Sequence, residues 1–411
     1  MLTALEQGVK GGVWFSLMDK VYSEDNLFAA YSQVAANDGA PGVDHITTEE
    51  FGRDLETNLK KLAEQMRNGT YVPQDIRRVW IPKPGTNAQR PLGIPTVRDR
   101  VAQAALLNTI EPIFEREFAE HSYGFRPGLG CKDGLREVDA LLKDGYYFVV
   151  DADLKSYFDT IPHDRLMERI RERIADGRVL TLIESFLKAG ILSELGREEA
   201  WMGAPQGAVV SPLLSNIYLN PLDHLMAREG MRMVRYADDF VILCRSREEA
   251  ERALTLVQDW TASAGLTLHP TKTRLVNVRE EEFTFLGYSF STSKDGRIRR
   301  WPGKKSLTKF KETLRPKTRR NRGDSLKRII TDVNETQRGW FGYFKHSYAT
   351  TFPYLDGWIR RRLRNILRKR LGKRGIGNGR SNLRWPNAYF TERGLFSLQT
   401  AHRLARQSSL R

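Results

Sequence analysis

Residues 233–243 read MVRYADDFVIL, with two adjacent carboxylates, Asp238 and Asp239, at the centre of an otherwise apolar run. Val234 and Tyr236 precede them, and Phe240, Val241, Ile242 and Leu243 follow. Two short apolar runs around a polar pair predict a strand–turn–strand unit with the acids at the bend. An aspartate pair buried without partners is costly, so acids in this setting need a nearby cation or a solvated tip. Taken alone, the tetrad fits either a solvated turn or a metal-holding hairpin, and the rest of the chain has to discriminate.

Upstream, residues 146–153 (YYFVVDAD) form a second apolar strand that ends in acids. Helices are expected over 163–174 and near 180–187. The loop 203–207 (GAPQG) then leads into an apolar helix over 213–222. After the acid-bearing hairpin come a helix around 248–264 and strand-like runs at 273–278 and 283–290. Toward the N-terminus, a helix opens near Ser23 and ends at 37–39. Thr47 or Thr48 caps a second helix, with Phe51, Leu55, Leu59 and Leu62 at helical spacing and Gly69 at its end. A strand at 79–82 turns through 83–85 into another at 90–94, and Thr96 caps a long helix through Ala102, Leu106 and Ile110. Strands interspersed with helices, without strict βαβ alternation, predict an α+β fold with a palm-like core.

A chain of 411 residues can bury a sizeable core and divides into two or three domains. From residue 294 onward there are 32 Lys and Arg against 7 Asp and Glu, a net +25; the first 293 residues carry 34 against 43, a net −9. The positive charge is therefore concentrated in one part of the chain, which points to a polyanion partner, nucleic acid before membrane. Past Trp301 the pattern is that of basic helices. Leu326, Ile329, Ile330, Val333, Trp340 and Phe344 mark one apolar face, and Leu355, Trp358, Ile359, Leu363, Ile366 and Leu367 another. Arg360, Arg361, Arg362, Arg364, Arg368, Lys369 and Arg370 fill the surface between, with no acid up to Arg374. That exceeds what solubility needs, so nucleic-acid contact is preferred to a merely solvated face. Glycines at 372, 375, 377 and 379 suggest a flexible break before a short tail.

Two unpaired cysteines, Cys131 and Cys244, fit a reducing compartment and exclude a zinc site built from paired CxxC units. No run of about 20 apolar residues occurs, and the N-terminus has no secretory pattern, so a cytoplasmic protein without membrane attachment is expected. The seven histidines are dispersed, and no GxGxxG or GxxxxGKS motif offers another nucleotide site. Two-metal polymerisation chemistry needs carboxylates on neighbouring strands, reaching a pair of cations ~3.5–4 Å apart. The strand ending in Asp151 and Asp153 and the hairpin bearing Asp238 and Asp239 can supply them if they pair in one sheet. Hard oxygen ligands of this kind select Mg²⁺.

With these residues in view, the chain resembles the group II intron-encoded reverse transcriptases that also act as maturases, almost from end to end. Residues 38–44 (DGAPGVD) look like the family's N-terminal extension motif, 81–94 (IPKPGTNAQRPLGI) its fingers hairpin and 122–127 (SYGFRP) its second fingers motif. Residues 151–161 (DADLKSYFDTI) are similar to the first catalytic motif, 203–216 (GAPQGAVVSPLLSN) to the nucleotide-pocket motif and RYADDFVIL to the second catalytic motif. Residues 265–273 (GLTLHPTKT) and 285–290 (FLGYSF) resemble the last palm motifs, and 337–344 (QRGWFGYF) the start of the maturase or thumb region.

The resemblance implies a right-hand polymerase, fingers and palm, with a helical thumb/maturase domain. Its domains would be 1–75, the N-terminal extension and start of the fingers; 76–293, fingers and palm; 294–375, the thumb/maturase domain; and 376–411, a short basic segment with the character of a DNA-binding remnant. In the family the first catalytic acid lies five positions before an aromatic that closes on the sugar. That spacing selects Asp153, not Asp151, as the metal ligand and Phe158 as the gate. Asp238 becomes the second direct ligand and Asp239 a less direct one. The resemblance also implies that Lys83 and Arg90 contact the triphosphate and that Gln206 and Gly207 line the sugar pocket. Lys272 would lie near the active site, and 286–288 in the primer grip. Two Mg²⁺ ions, with Mn²⁺ as a substitute, deoxynucleoside triphosphates, a DNA primer or target and the intron RNA are the implied cofactors and partners. Without the paired cysteines and histidines of the family's endonuclease, the chain is similar to compact members such as those of class C introns. Two rivals remain: a splicing cofactor with secondary polymerase chemistry, and a domesticated reverse transcriptase in phage defence, spacer acquisition or DNA repair.

Overall fold

The structure is a computed structural model that describes residues 12–82, 89–193, 196–199, 201–293, 295–373 and 379–408. Lys83, with the turn expected at 83–85, lies outside the described residues. The chain separates into two compact units, one ending at Asn277 and the other beginning at Val278.

In the first unit, β1 (Ile76–Pro82), β2 (Gln89–Ile94), β3 (Phe148–Asp153), β4 (Ile191–Ser193), β5 (Gly196–Glu198), β6 (Arg232–Tyr236), β7 (Asp239–Cys244) and β8 (Arg274–Asn277) form two sheets. One has the order β2-β1-β4-β5, and the other the order β6-β7-β3-β8 with every pair antiparallel. In the second sheet β3 and β7 are the inner strands. Val149, Val150 and every residue from Phe240 to Cys244 are fully buried. A strand covered on both faces loses polar alternation, which is why FVIL reads as a continuous apolar run. Helix Arg247–Ser263 packs on β3 and β7, and helices Ser211–Arg228 and Cys131–Lys143 pack on β6.

Local signals set several helix starts. Thr96 accepts a hydrogen bond from Asp99 N, and Thr47 forms a reciprocal capping box with Glu50. The helix expected from Thr47 or Thr48 to Gly69 divides instead into Thr48–Arg53 and Leu55–Asn68. Asp54 leaves the helical region, and the Asn58 side chain donates to the freed Phe51 carbonyl at 2.9 Å.

The second unit opens with β9 (Phe283–Phe285), β10 (Tyr288–Thr292) and β11 (Ile298–Pro302) in the order β11-β10-β9. The run expected as one strand at 283–290 is thus a tight hairpin, with Leu286 and Gly287 both at positive φ in its turn. Helices Lys304–Lys317, Leu326–Phe344 and Thr351–Arg370 follow, and their apolar stripes meet in one core around Phe310, Ile330, Val333, Leu355, Ile359 and Leu363. Trp385, Phe390, Leu395 and Leu398 belong to that same core. Asp356 accepts from the backbone N–H groups of Leu398 and Gln399, closing the start of the last helix, Leu398–Ser408. Among the described residues, no helix is long and apolar enough to cross a membrane.

Candidate active site

Because β3 and β7 run antiparallel, the end of one lies beside the start of the other. Asp153 is the register partner of Asp239, and Asp239 faces Tyr236 across the hairpin. Ala237 and Asp238 alone form the turn, with Ala237 at φ +60°. A two-residue turn with positive φ at its first central residue matches the strand twist and fixes the register. It carries Asp238 on the tip and Asp239 on the first rung. Burial raises the Asp238 carboxyl above its ordinary range and the neighbouring Asp153 charge adds to this, while Arg235 and Lys272 oppose it.

The stretch after helix Arg247–Ser263 returns beside the end of β3. Lys155 N donates to Thr267 O at 2.8 Å, and His269 N donates to Asp153 O at 2.7 Å. This brings Lys272 Nζ to 2.7 Å from Asp153 Oδ2. Asp151 faces Val241 and Arg274 in register, and Arg274 Nε donates to Asp151 Oδ2 at 3.2 Å. Burial raises the Asp151 carboxyl and Arg274 counters it. Among the described residues, no three Asp, Glu, His or Cys side chains converge as a ready-made metal cluster; the Asp153 carboxylate engages the Lys272 ammonium. The donor set nevertheless fits a divalent cation, since it consists of carboxylate oxygens on adjoining backbone positions with a cation already drawn to one of them.

The pocket motif is tied to its surroundings by backbone bonds. Ala204 N donates to the carbonyl of Phe158 at 2.7 Å, and the half-buried Phe158 ring meets Tyr157 edge-on at 5.4 Å. Gly93 N, in β2, donates to the carbonyl of Gln206 at 2.6 Å. Gly207 has φ +109°, and a Cβ there would come within 2.4 Å of Gly93 O, so this crossing needs glycine. Buried Gln103 accepts from Val209 N at 2.8 Å. The sequence reading missed Gln103, whose signal is a lone amide among Ala102, Ala104, Ala105 and Leu106. Arg90 is exposed on β2 opposite Ile81.

The basic residues of helix Thr351–Arg370 are not equivalent. Arg362 donates to Thr318 Oγ1 at 2.6 Å, and Arg364, buried, donates to Trp385 O at 2.8 Å and Asn387 Oδ1 at 2.9 Å. Arg368 donates to Ser381 Oγ at 3.2 Å, Arg370 to the Asp324 carbonyl, and Arg360 lies 3.9 Å from Asp356. Arg361 and Lys369 are exposed, as is Arg370.

Residues 81–290 match the family described as reverse transcriptase (RNA-dependent DNA polymerase), and residues 307–384 match the group II intron, maturase-specific domain. Protein YkfC of Escherichia coli is 35% identical over 293 residues, 60% of this chain and 75% of that one. The group II intron-encoded protein LtrA of Lactococcus lactis subsp. cremoris is 37% identical over 213 residues, 51% of this chain and 35% of that one. A putative COX1/OXI3 intron 1 protein of Saccharomyces cerevisiae is 26% identical over 81% of this chain and 45% of its own length. The chain thus spans three quarters of the first relative and less than half of the other two. The paired acids of β3 and β7 lie inside a reverse transcriptase match that covers half the sequence, and helices Leu326–Phe344 and Thr351–Arg370 lie inside a maturase match: the chain belongs to the reverse transcriptase family, in the branch that carries a group II intron maturase domain.

Proposed function

We propose that this chain copies group II intron RNA into DNA by target-primed reverse transcription, and that it binds the same RNA as a maturase to promote splicing. The observation that carries the polymerase reading is the register of Asp153 against Asp239 with Asp238 on the adjoining turn. In this reading the three carboxylates hold two Mg²⁺ ions, with Mn²⁺ as a substitute. Bound cations there supply activation of the primer 3′-hydroxyl and stabilisation of the leaving pyrophosphate. Lys272 yields its place on Asp153. Arg90, with Lys83, holds the triphosphate of an incoming deoxynucleotide through charge-assisted hydrogen bonds. Phe158 closes against the sugar and excludes a ribose 2′-hydroxyl, while Gln206 and Gly207 line the sugar's other side.

The first unit serves in this assignment as fingers and palm, with residues before 76 contributing the N-terminal extension. The second serves as thumb and maturase domain, with helices Leu326–Phe344 and Thr351–Arg370 inside the maturase match. Exposed Arg361 and Lys369 suit contact with the phosphates and shape of the intron RNA or the DNA target. Asp238→Ala should abolish Mg²⁺-dependent primer extension on an RNA template while leaving intron binding and splicing largely intact. Loss of binding and splicing along with extension would sink the separation of the two activities.

A further inference from the structure

The hairpin that presents Asp238 rests on a charge that the polymerase chemistry does not use. Arg235, the residue before the tetrad, is fully buried, with 0% of its surface exposed. Its Nε donates to Asp223 Oδ1 at 2.8 Å and its Nη2 to Asp223 Oδ2 at 2.5 Å, a two-pronged pair on helix Ser211–Arg228. Its Nη1 donates to Asn216 Oδ1 at 2.9 Å and to the carbonyl of Ala237 at 2.9 Å. That carbonyl belongs to the turn residue held at φ +60°. Ala is not the residue such a turn favours, since positive φ suits glycine and asparagine. A fixed guanidinium bonded to the Ala237 carbonyl supplies what the local sequence lacks.

The same network reaches the fingers motif. Asn216 Nδ2 donates to Gly124 O at 2.8 Å. Residues 121–123 bond the edge of β6 through Arg235 N to His121 O at 3.0 Å and Tyr123 N to Arg235 O at 2.8 Å. Gly124 then crosses so near the turn that a Cβ on it would lie 2.2 Å from Ala237 N. The turn is therefore confined on two sides, by the Arg235 guanidinium bonded to its carbonyl and by the Gly124 backbone packed close against its amide.

We infer that Arg235, seated on Asp223 and Asn216, is the positioning residue that holds the Ala237–Asp238 turn in the conformation that presents the catalytic acids. A buried ion pair contributes little net stability beyond an apolar pair of similar volume, so a role in stability alone is a poor account of it. A rigid planar fork meeting an acid, an amide and a carbonyl at once is suited to fixing geometry, and lysine cannot reproduce it. The inference rests on the polymerase reading for its catalytic consequence, but the turn geometry it claims is independent of that reading.

The test uses the full chain with Arg235→Lys and with the paired substitution Arg235→Met/Asp223→Leu, which removes both buried charges and protects folding. Amide hydrogen exchange at Ala237–Phe240 should quicken in both variants, while exchange at Val149, Val150 and Ile242 stays slow. Single-nucleotide extension on an RNA template should fall by about 100-fold in kcat, with the Mg²⁺ concentration for half-maximal rate raised several-fold and the KM for the nucleotide changed less than about twofold. Unaltered exchange at the turn in the folded paired variant overturns the inference, as does wild-type kcat with a wild-type Mg²⁺ requirement. A wild-type chain that fails to extend primers would defeat the polymerase reading instead, and the exchange measurement would still decide the role of Arg235.

Discussion

Phe158 illustrates how much one position carries. Its carbonyl is pinned by Ala204 N and its ring leans edge-on against Tyr157, which supports the proposed role of closing against the sugar. Phe158→Ala should lower discrimination between deoxy- and ribonucleotides, as the ratio of kcat/KM values, by roughly tenfold or more, about 1.4 kcal/mol of transition-state energy. An unchanged ratio would discard the gate. At this scale the acid-bearing runs were legible, because carboxylates interrupting apolar runs are conspicuous, whereas the choice of Asp153 over Asp151 came from the family resemblance, through its spacing to Phe158. In the sheet, Asp153 faces Asp239 whereas Asp151 faces Val241 and pairs with Arg274. Arg235 was not legible. An arginine in a strand is normally on the surface, and nothing in its neighbours announces that Asp223 and Asn216 will enclose it.

Elements with a local signal were read well, and those defined by a distant partner were not. Thr96 and the period of the helix behind it needed no tertiary information. The break at Asp54 and the turn at Leu286 and Gly287 depend on a side-chain cap and on positive φ, neither of which periodicity reveals. Strands β4 and β5 are three residues each and exist by pairing, β4 with β1. Asp176 shows the tie between elements most directly. It caps helix Gly177–Leu187 through Arg178 N and Val179 N, and it also accepts from Leu17 N at 2.7 Å and Met18 N at 2.9 Å. Burial pushes its carboxyl upward, but the four backbone donors outweigh that and hold it below the unfolded value of 3.8. The stabilisation therefore belongs to the ionised form: it is present above pH 3.8 and is lost as pH falls through the lower folded value. Asp176→Ala should cost about 2 kcal/mol in denaturant unfolding at pH 7. The gap from the parent should narrow on acidification, and a gap independent of pH would rule this account out.

Over the whole molecule, the +25 of the last part of the chain pointed to a polyanion partner, but a count of charges does not say which of them face outward. Arg362, Arg364 and Arg368 brace helix Thr351–Arg370 against neighbouring segments, and only the structure separates them from the exposed Arg361, Lys369 and Arg370. Replacing Arg361 and Lys369 together by Ala should weaken RNA binding and reduce the slope of log affinity against log salt by about 1–2, without changing Tm. Arg364→Ala should lower Tm instead; an unaltered salt slope in the first variant would return those two side chains to plain solvation. The shared core of Trp385, Phe390, Leu395 and Leu398 was invisible for a related reason, since isolated apolar residues gain meaning only from what they meet. One last consequence follows from the strand order β6-β7-β3-β8. The strand that ends in Asp153 is bordered on both sides by strands made much later, and Asp151 and Arg274 stand 123 positions apart. At roughly 5–20 residues per second of synthesis, the apolar β3 leaves the ribosome on the order of ten seconds before β8 can cover its flank. β3 thus needs shelter in a nascent chain, and a product cut short before residue 277 would present the edge of β3 that β8 otherwise pairs, open and sticky, beside the paired acids.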